Sequence, residues 1–203
     1  MIKKMIAVAG LAMFSQIADA TPIFNSASGL ASPLSTITFD EHVLATNAAV
    51  TNEYSDLGVT FSPNLYYSAQ TTPFPNIDAN NLTNFTDPDN GASVFQFSLN
   101  FLANQTDAAF AMVSNGSQWD FEALLGGAVV DAFSTLVADT SPNFYGFTGI
   151  SFDEIRITSS INDYMILDNL QIGNNAVPEP ASMALLGLGL AALAVARRRV
   201  KWA

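Results

Sequence analysis

From Thr36 to Ile172 the apolar residues fall in short runs at every second position, and turn residues separate the runs. Side chains on a strand repeat every two residues, so this spacing is that of half-buried strands rather than helices. The predicted strands are Ser35–Phe39, Gly58–Ser62, Ser93–Leu102, Ala108–Val113, Trp119–Leu125, Ala128–Val137, Gly149–Thr158 and Asp163–Ile172. The clearest patterns are Val94, Phe95, Phe97, Leu99, Phe101 and Ile150, Phe152, Ile155, Ile157. Turns are expected at Asn90-Gly91, Asn115-Gly116, Gly126-Gly127 and Asn162-Asp163, with Asn115-Gly116 reading as a type I′ hairpin turn. Eight short strands without a long amphipathic helix predict an all-β domain, an antiparallel β-sandwich of jelly-roll type over residues 36–173. Thr21 to Ser35 is rich in Ser, Ala, Asn and Pro and reads as a linker or a first edge. The stretch from Tyr66 to Ala92 is irregular and polar, the kind of long loop that is often functional.

The two ends follow a different logic. Met1-Ile2-Lys3-Lys4, an uncharged run from Met5 to Phe14, and Ala18-Asp19-Ala20 are the three parts of a secretory signal peptide over residues 1–20. Small Ala18 and Ala20 place the expected cut after Ala20. At the other end Val177-Pro178-Glu179-Pro180 precedes Ala181 to Ala196, whose single polar residue is Ser182, and Arg197-Arg198-Arg199 follows. Residues 181–196 as a helix cover about 24 Å, short for a bilayer unless the arginines reach back to the headgroups. The basic cluster belongs on the cytoplasmic side, which leaves the bulk of the chain outside the membrane.

Pro178-Glu179-Pro180, an apolar helix and an arginine cluster, in that order, resemble the PEP-CTERM sorting signal, here over residues 177–201. The resemblance implies recognition by exosortase, a membrane protease-transpeptidase of exopolysaccharide-producing Gram-negative bacteria. It implies an anchored intermediate in the inner membrane and a final place at the cell surface or in the extracellular matrix. The segment from Phe121 to Ile172 also resembles, loosely, the lectin- or carbohydrate-binding-module-like β-sandwiches of such proteins. The stretches Phe144-Tyr145-Gly146-Phe147-Thr148-Gly149, Ile150-Ser151-Phe152-Asp153-Glu154-Ile155 and Ile166-Leu167-Asp168-Asn169-Leu170 carry that likeness.

Charge narrows the partners. Six of the seven Lys and Arg lie in the two ends, and only Arg156 lies between residues 21 and 176. One cation against sixteen acids gives that region a net charge of −15. Nucleic acid and anionic lipid are poor partners for such a surface, and cations are good ones. The chain has no cysteine, so its stability rests on a core or on bound ions.

The catalytic inventory is thin: no cysteine, and a single histidine, His42, which reads as a loop residue just after a strand. A zinc site would lack its usual ligands. Asp120 and Glu122 share one strand face and in principle form the carboxylate pair of a glycoside hydrolase. The competing reading turns them to solvent and Trp119, Phe121 and Ala123 inward. Calcium suits these acids better, because hard cations take carboxylate and amide oxygens. Asp40-Glu41 ends the first strong strand and Asp168-Asn169 lies within the last, and first and last strands of a jelly roll are often neighbours. Asp40, Glu41 and Asp168 are therefore the expected calcium ligands, with Asp153-Glu154 a further pair and ion-free structural carboxylates the alternative. Asp87-Pro88-Asp89-Asn90-Gly91 lacks the spacing of an EF-hand loop. Tyr66, Tyr67 and Trp119 are the candidates for a sugar-binding platform, since flat rings with a polar edge suit a carbohydrate face.

These features predict an exported, non-enzymatic surface or matrix protein, associated with exopolysaccharide or biofilm. A carbohydrate-binding module and a secreted carboxylate-dependent hydrolase are the alternatives.

Overall fold

The computed structural model describes residues 21–62, 65–86 and 95–173. All belong to one compact unit, Asp19–Val177, which closes its own core. The signal peptide and the sorting segment lie outside the described residues.

Eleven strands run in the order β1 Thr21–Ser26, β2 Ser35–Ile37, β3 Ala49–Val50, β4 Val59–Phe61, β5 Leu65–Ser68 and β6 Asn81–Thr83. They continue with β7 Gln96–Ser114, β8 Ser117–Leu125, β9 Ala128–Val137, β10 Phe144–Ser159 and β11 Met165–Gly173. Every pairing is antiparallel. Among the described residues the single helical element is one 3-10 turn, Ser55–Leu57. The all-β prediction therefore holds for the domain.

β7 and β10 are long enough to serve two layers. The first half of β7 pairs with the last third of β10 (Phe97 opposite Ile157) and with β4. The second half of β7 pairs with the start of β10 (Phe110 opposite Tyr145) and with β11. The register breaks between Thr148 and Glu154, and strands change layers at such irregularities. β8 and β9 extend the first layer; β1, β11, β2, β6, β5 and β3 extend the second.

Aromatic rings fill the space between the layers. Phe121 on β8 stacks on Tyr145 of β10 at 5.2 Å and on Phe133 of β9 at 4.8 Å. Phe133 also meets Phe147 at 5.2 Å. Trp119, Phe121 and Ala123 point inward and are fully buried, as the alternation predicted. The outer face of the second layer is also covered. Ala109, Ala111 and Val113 of β7 are small enough for the 69–80 loop to lie on them through Phe74 and Ile77.

Several expectations are corrected here. Of the two readings of residues 21–35, linker or first edge, Thr21–Ser26 takes the second, a strand with Thr21 opposite Thr148. From Gln96 on, the predicted strands Ser93–Leu102 and Ala108–Val113 are parts of one strand, because polar Asn104 and Gln105 do not end it. Asn115-Gly116 is not a hairpin turn: Gly116 has φ 84°, but β7 and β8 share no ladder, and the turn passes between the layers. The type I′ geometry instead belongs to Gly126-Gly127, with φ 58° and 81°, where Leu125 faces Ala128 across the β8–β9 hairpin. The polar 66–92 stretch contains β5 and β6.

Candidate functional site

The expected neighbouring of first and last strands is realised: β2 pairs with β11, Ile37 opposite Leu170. That pairing brings Asp40 towards Asp168, and the 69–80 loop adds Asp78. Asp168 sits at a bulge of β11 where Asn169 adopts φ 51°. Its carboxylate is fully buried and accepts the N–H groups of Asp78 at 2.7 Å and Asn169 at 2.6 Å. Burial pushes the Asp168 carboxyl up to about 7. The two backbone N–H groups pull it down, and the nearby charges of Asp78 and Asp40 push it further up.

The expected calcium set does not assemble around this carboxylate. Glu41 turns back to accept the Thr38 N–H at 3.1 Å, and Asp40 accepts from the Asn80 amide at 2.5 Å. Among the described residues no group of three Asp, Glu or His side chains could hold one ion. Asp153 likewise serves the Gly126 N–H, at 2.9 Å, and Glu154 the Ser98 hydroxyl, at 2.6 Å. In this arrangement the acids tie loops to strands: a short carboxylate supplies acceptors where turns leave N–H groups without ladder partners. Asn81, one residue beyond the Leu167–Leu82 pair and so beside Asp168, keeps a buried side-chain oxygen with no donor.

Sequence reasoning missed the most heavily bonded acid. Asp163 accepts from Ser114 (2.6 Å), Asn115 (2.9 Å), Ser117 and its neighbour's N–H at Tyr164 (2.8 Å). Burial pushes its carboxyl up, but these four bonds outweigh burial and hold it below the usual range. It fastens the β7–β8 turn to the β10–β11 loop. The signal was the Asn162-Asp163 turn pair.

The aromatic platform is also corrected. Tyr67 and Trp119 are fully buried and offer no ring to a ligand; Tyr66 is half-buried on β5. Tyr67 gives its hydroxyl to the Phe39 carbonyl and Trp119 gives its indole N–H to Ser114 at 3.0 Å. Both alternate inward with the core residues of their strands. A different set of rings lines a cavity of about 190 Å³: Phe74, Phe85 and Tyr164, together with Val113, Met165 and the exposed Asp139. Phe85 and Tyr164 meet edge to face at 5.0 Å.

Asp120 and Glu122 face outward. Asp120 accepts the Ser134 hydroxyl, and Glu122 accepts Arg156 Nε at 2.8 Å. His42 lies in the loop after Phe39, its Nε2 2.9 Å from Asp56. The sorting residues Ala18, Ala20, Pro178, Glu179, Pro180, Arg197, Arg198 and Arg199 lie outside the described residues, as does the helix expected at 181–196.

The described domain thus defines an all-β antiparallel fold in which Asp153, Glu154, Asp163 and Asp168 serve structural hydrogen bonds. Residues 176–199 match the PEP-CTERM protein-sorting motif. The chain carries that motif directly after its last strand, and this marks it as an exported protein addressed to exosortase by way of a membrane-anchored intermediate. No curated protein matches the chain. Among solved structures it is similar to the CBM22-1–GH10 modules of the Clostridium thermocellum N-terminal endo-1,4-β-D-xylanase 10B, complexed with xylohexaose. The identity is 8% over 72% of this chain and 29% of that one, with a TM-score of 0.34. This chain therefore spans less than a third of that protein, and a likeness so slight assigns no ligand.

Proposed function

We propose that the protein is a non-enzymatic constituent of the cell surface or of an exopolysaccharide matrix, cut after Ala20 and again at the Pro178-Glu179-Pro180 segment by exosortase. The observation that carries this reading is the sorting motif beginning at residue 176, just beyond β11, so that the folded β-unit is the cargo and the tail its address. Intact-mass analysis and fractionation in strains with and without exosortase test it. The expected product begins at Thr21, lacks Arg197–Arg199 and leaves the inner membrane only when exosortase is present. A product that keeps the arginines, or that fractionates identically in both strains, overturns it.

The aromatic cavity favours a second reading, binding of an uncharged glycan. Its volume is below the about 300–1,000 Å³ of drug-sized sites, so it has room for a single sugar ring. Rings at its walls suit a sugar's apolar face, and the exposed Asp139 accepts from hydroxyls. The net charge of −15 selects against acidic polysaccharides. Calorimetric titration with uncharged hexasaccharides of glucose, xylose and N-acetylglucosamine tests it. Binding that Tyr164→Ala abolishes supports the reading, and absence of heat from all three rejects it.

A further inference from the structure

Cutting after Ala20 is a chemical change as well as a trimming step. Water adds across the Ala20–Thr21 peptide bond under a signal peptidase; Ala20 leaves with the carboxylate, and the Thr21 nitrogen becomes a primary amine that takes up a proton. The new cation appears in a region short of cations. Between residues 21 and 176 the sequence contains one arginine and one histidine against sixteen acids. Arg156 is held by Glu122 and His42 by Asp56.

The sheet places the new amine near one particular acid. Thr21 pairs with Thr148, and Thr148 pairs with Asp107, so the three residues form a row across β1, β10 and β7 on one face. Two strand spacings separate the ends of that row, about 10 Å at the backbone. One Asp107 oxygen reaches towards β10 and accepts the Gly149 N–H at 3.2 Å, while the other accepts the Thr106 hydroxyl at 2.6 Å. On the other side of β10, the Thr148 hydroxyl donates to the Thr21 carbonyl at 2.9 Å and holds the start of β1 in register. Thr21, Thr148, Gly149 and Asp107 line a single cleft, together with Leu30. Asp107, itself buried, is the one titratable side chain among the described residues lining it.

We infer that this cleft is a site for the amine created at Thr21 by signal-peptide removal, with the Asp107 carboxylate as its partner, so that maturation pins the edge strand β1 to the sandwich. The inference rests on the cut after Ala20 proposed above. Before the cut, the Thr21 nitrogen is an uncharged amide and the pair does not exist. After it, the charged amine is drawn to the one buried carboxylate of the cleft, and the first strand is tied down where fraying is otherwise expected.

The test uses the domain from Thr21 to Val177, the unit that closes its own core, released from a fusion that leaves the Thr21 amine native. Its partner carries two extra residues, Gly-Ser, before Thr21. Each is made with Asp107 and with Asp107→Asn. The extension is expected to lower Tm by about 2–4 °C with Asp107 and by much less with Asp107→Asn. An equal penalty in both backgrounds overturns the pairing. A titration of the amine in the unmutated domain needs no variant and covers the case in which Asp107→Asn does not fold. A midpoint clearly above the usual range of about 7.7–8.0 supports the pair, and one within it overturns the pair. Sequencing the N-terminus of the exported protein separates the two layers of the argument. A start other than Thr21 removes the site from the natural protein, whatever the recombinant domain shows.

Discussion

The Asp168 carboxylate accepts the Asp78 N–H at 2.7 Å and so anchors the loop that roofs the second layer. Asn169 gives its amide to the Asn76 carbonyl at 2.8 Å, and Asn143 gives its own to Pro75 at 2.7 Å. Three short polar side chains therefore hold the 69–80 loop over Ala109, Ala111 and Val113. A loop that the sequence marked as irregular is a fixed part of the fold.

This anchor has a signed pH dependence. The folded state keeps the Asp168 proton up to about pH 7, whereas the unfolded chain releases it near 3.8. The folded state thus binds more protons between those values, and stability from this group falls as pH rises through the window. Below about pH 4 its contribution is fully present; above about pH 7 it is lost, by on the order of 4 kcal/mol. Asp168→Asn removes the titration. Its fixed cost, a poorer partner for one backbone N–H, does not vary with pH. Urea unfolding at pH 4.5 and pH 8 should show the gap between wild type and Asp168→Asn narrowing at the higher pH. A gap independent of pH contradicts the assignment.

Asp163 has the opposite sign. Its carboxyl is held below the usual range, so its contribution is present above about pH 4 and is lost as pH falls through the depressed value. Asp163→Ala leaves Ser114, Asn115 and Ser117 without their shared acceptor and is expected to cost about 2–4 kcal/mol at pH 7. The same variant should cost much less at pH 2, which acid unfolding curves of both proteins would show.

Gly146 stands where β10 passes between β1 and β7, with Ile23 on one side and Ala109 on the other. A Cβ there would overlap the Ala108 carbonyl oxygen and lie 2.7 Å from the Ala109 Cα. Both are backbone atoms of a central strand and cannot move aside. Gly146→Ala is expected to destabilise by about 3 kcal/mol or more. Gly116→Ala meets nothing within 4 Å and carries only the conformational cost of φ 84°, about 1 kcal/mol. Thermal melts of the two variants should rank in that order.

With no three acids of the described residues grouped for one ion, cations should act on the −15 domain by screening. Calcium and magnesium at equal concentration are expected to raise Tm equally. A shift that only calcium produces would reveal a site beyond the acids described.

The sequence by itself determined which face of the longer strands turns inward and that the protein carries a sorting motif for export. Period-two spacing placed Trp119, Phe121 and Ala123 on the buried side, because an inward polar residue or an outward ring is costly on a half-covered sheet. The tail residues form a contiguous address that needs no fold to be read. Partnership between strands was not legible. Alternation says which side a residue faces but not which strand lies beside it, so polar Asn104 and Gln105 within β7 passed for a gap and Asn115-Gly116 for a hairpin. The same limit governed the sites. Tyr67 and Trp119 carry the right chemistry for a ligand, and only the packing of one layer on the other shows them sealed between the two. Asp40 and Asp168 lie far apart in the chain and are brought towards each other by the β2–β11 pairing, while Phe74 reaches the cavity of Phe85 and Tyr164 on a loop held by Asp168, Asn169 and Asn143. Contacts between distant segments arise from the long-range closure of the sheet, and no local pattern of residues encodes them.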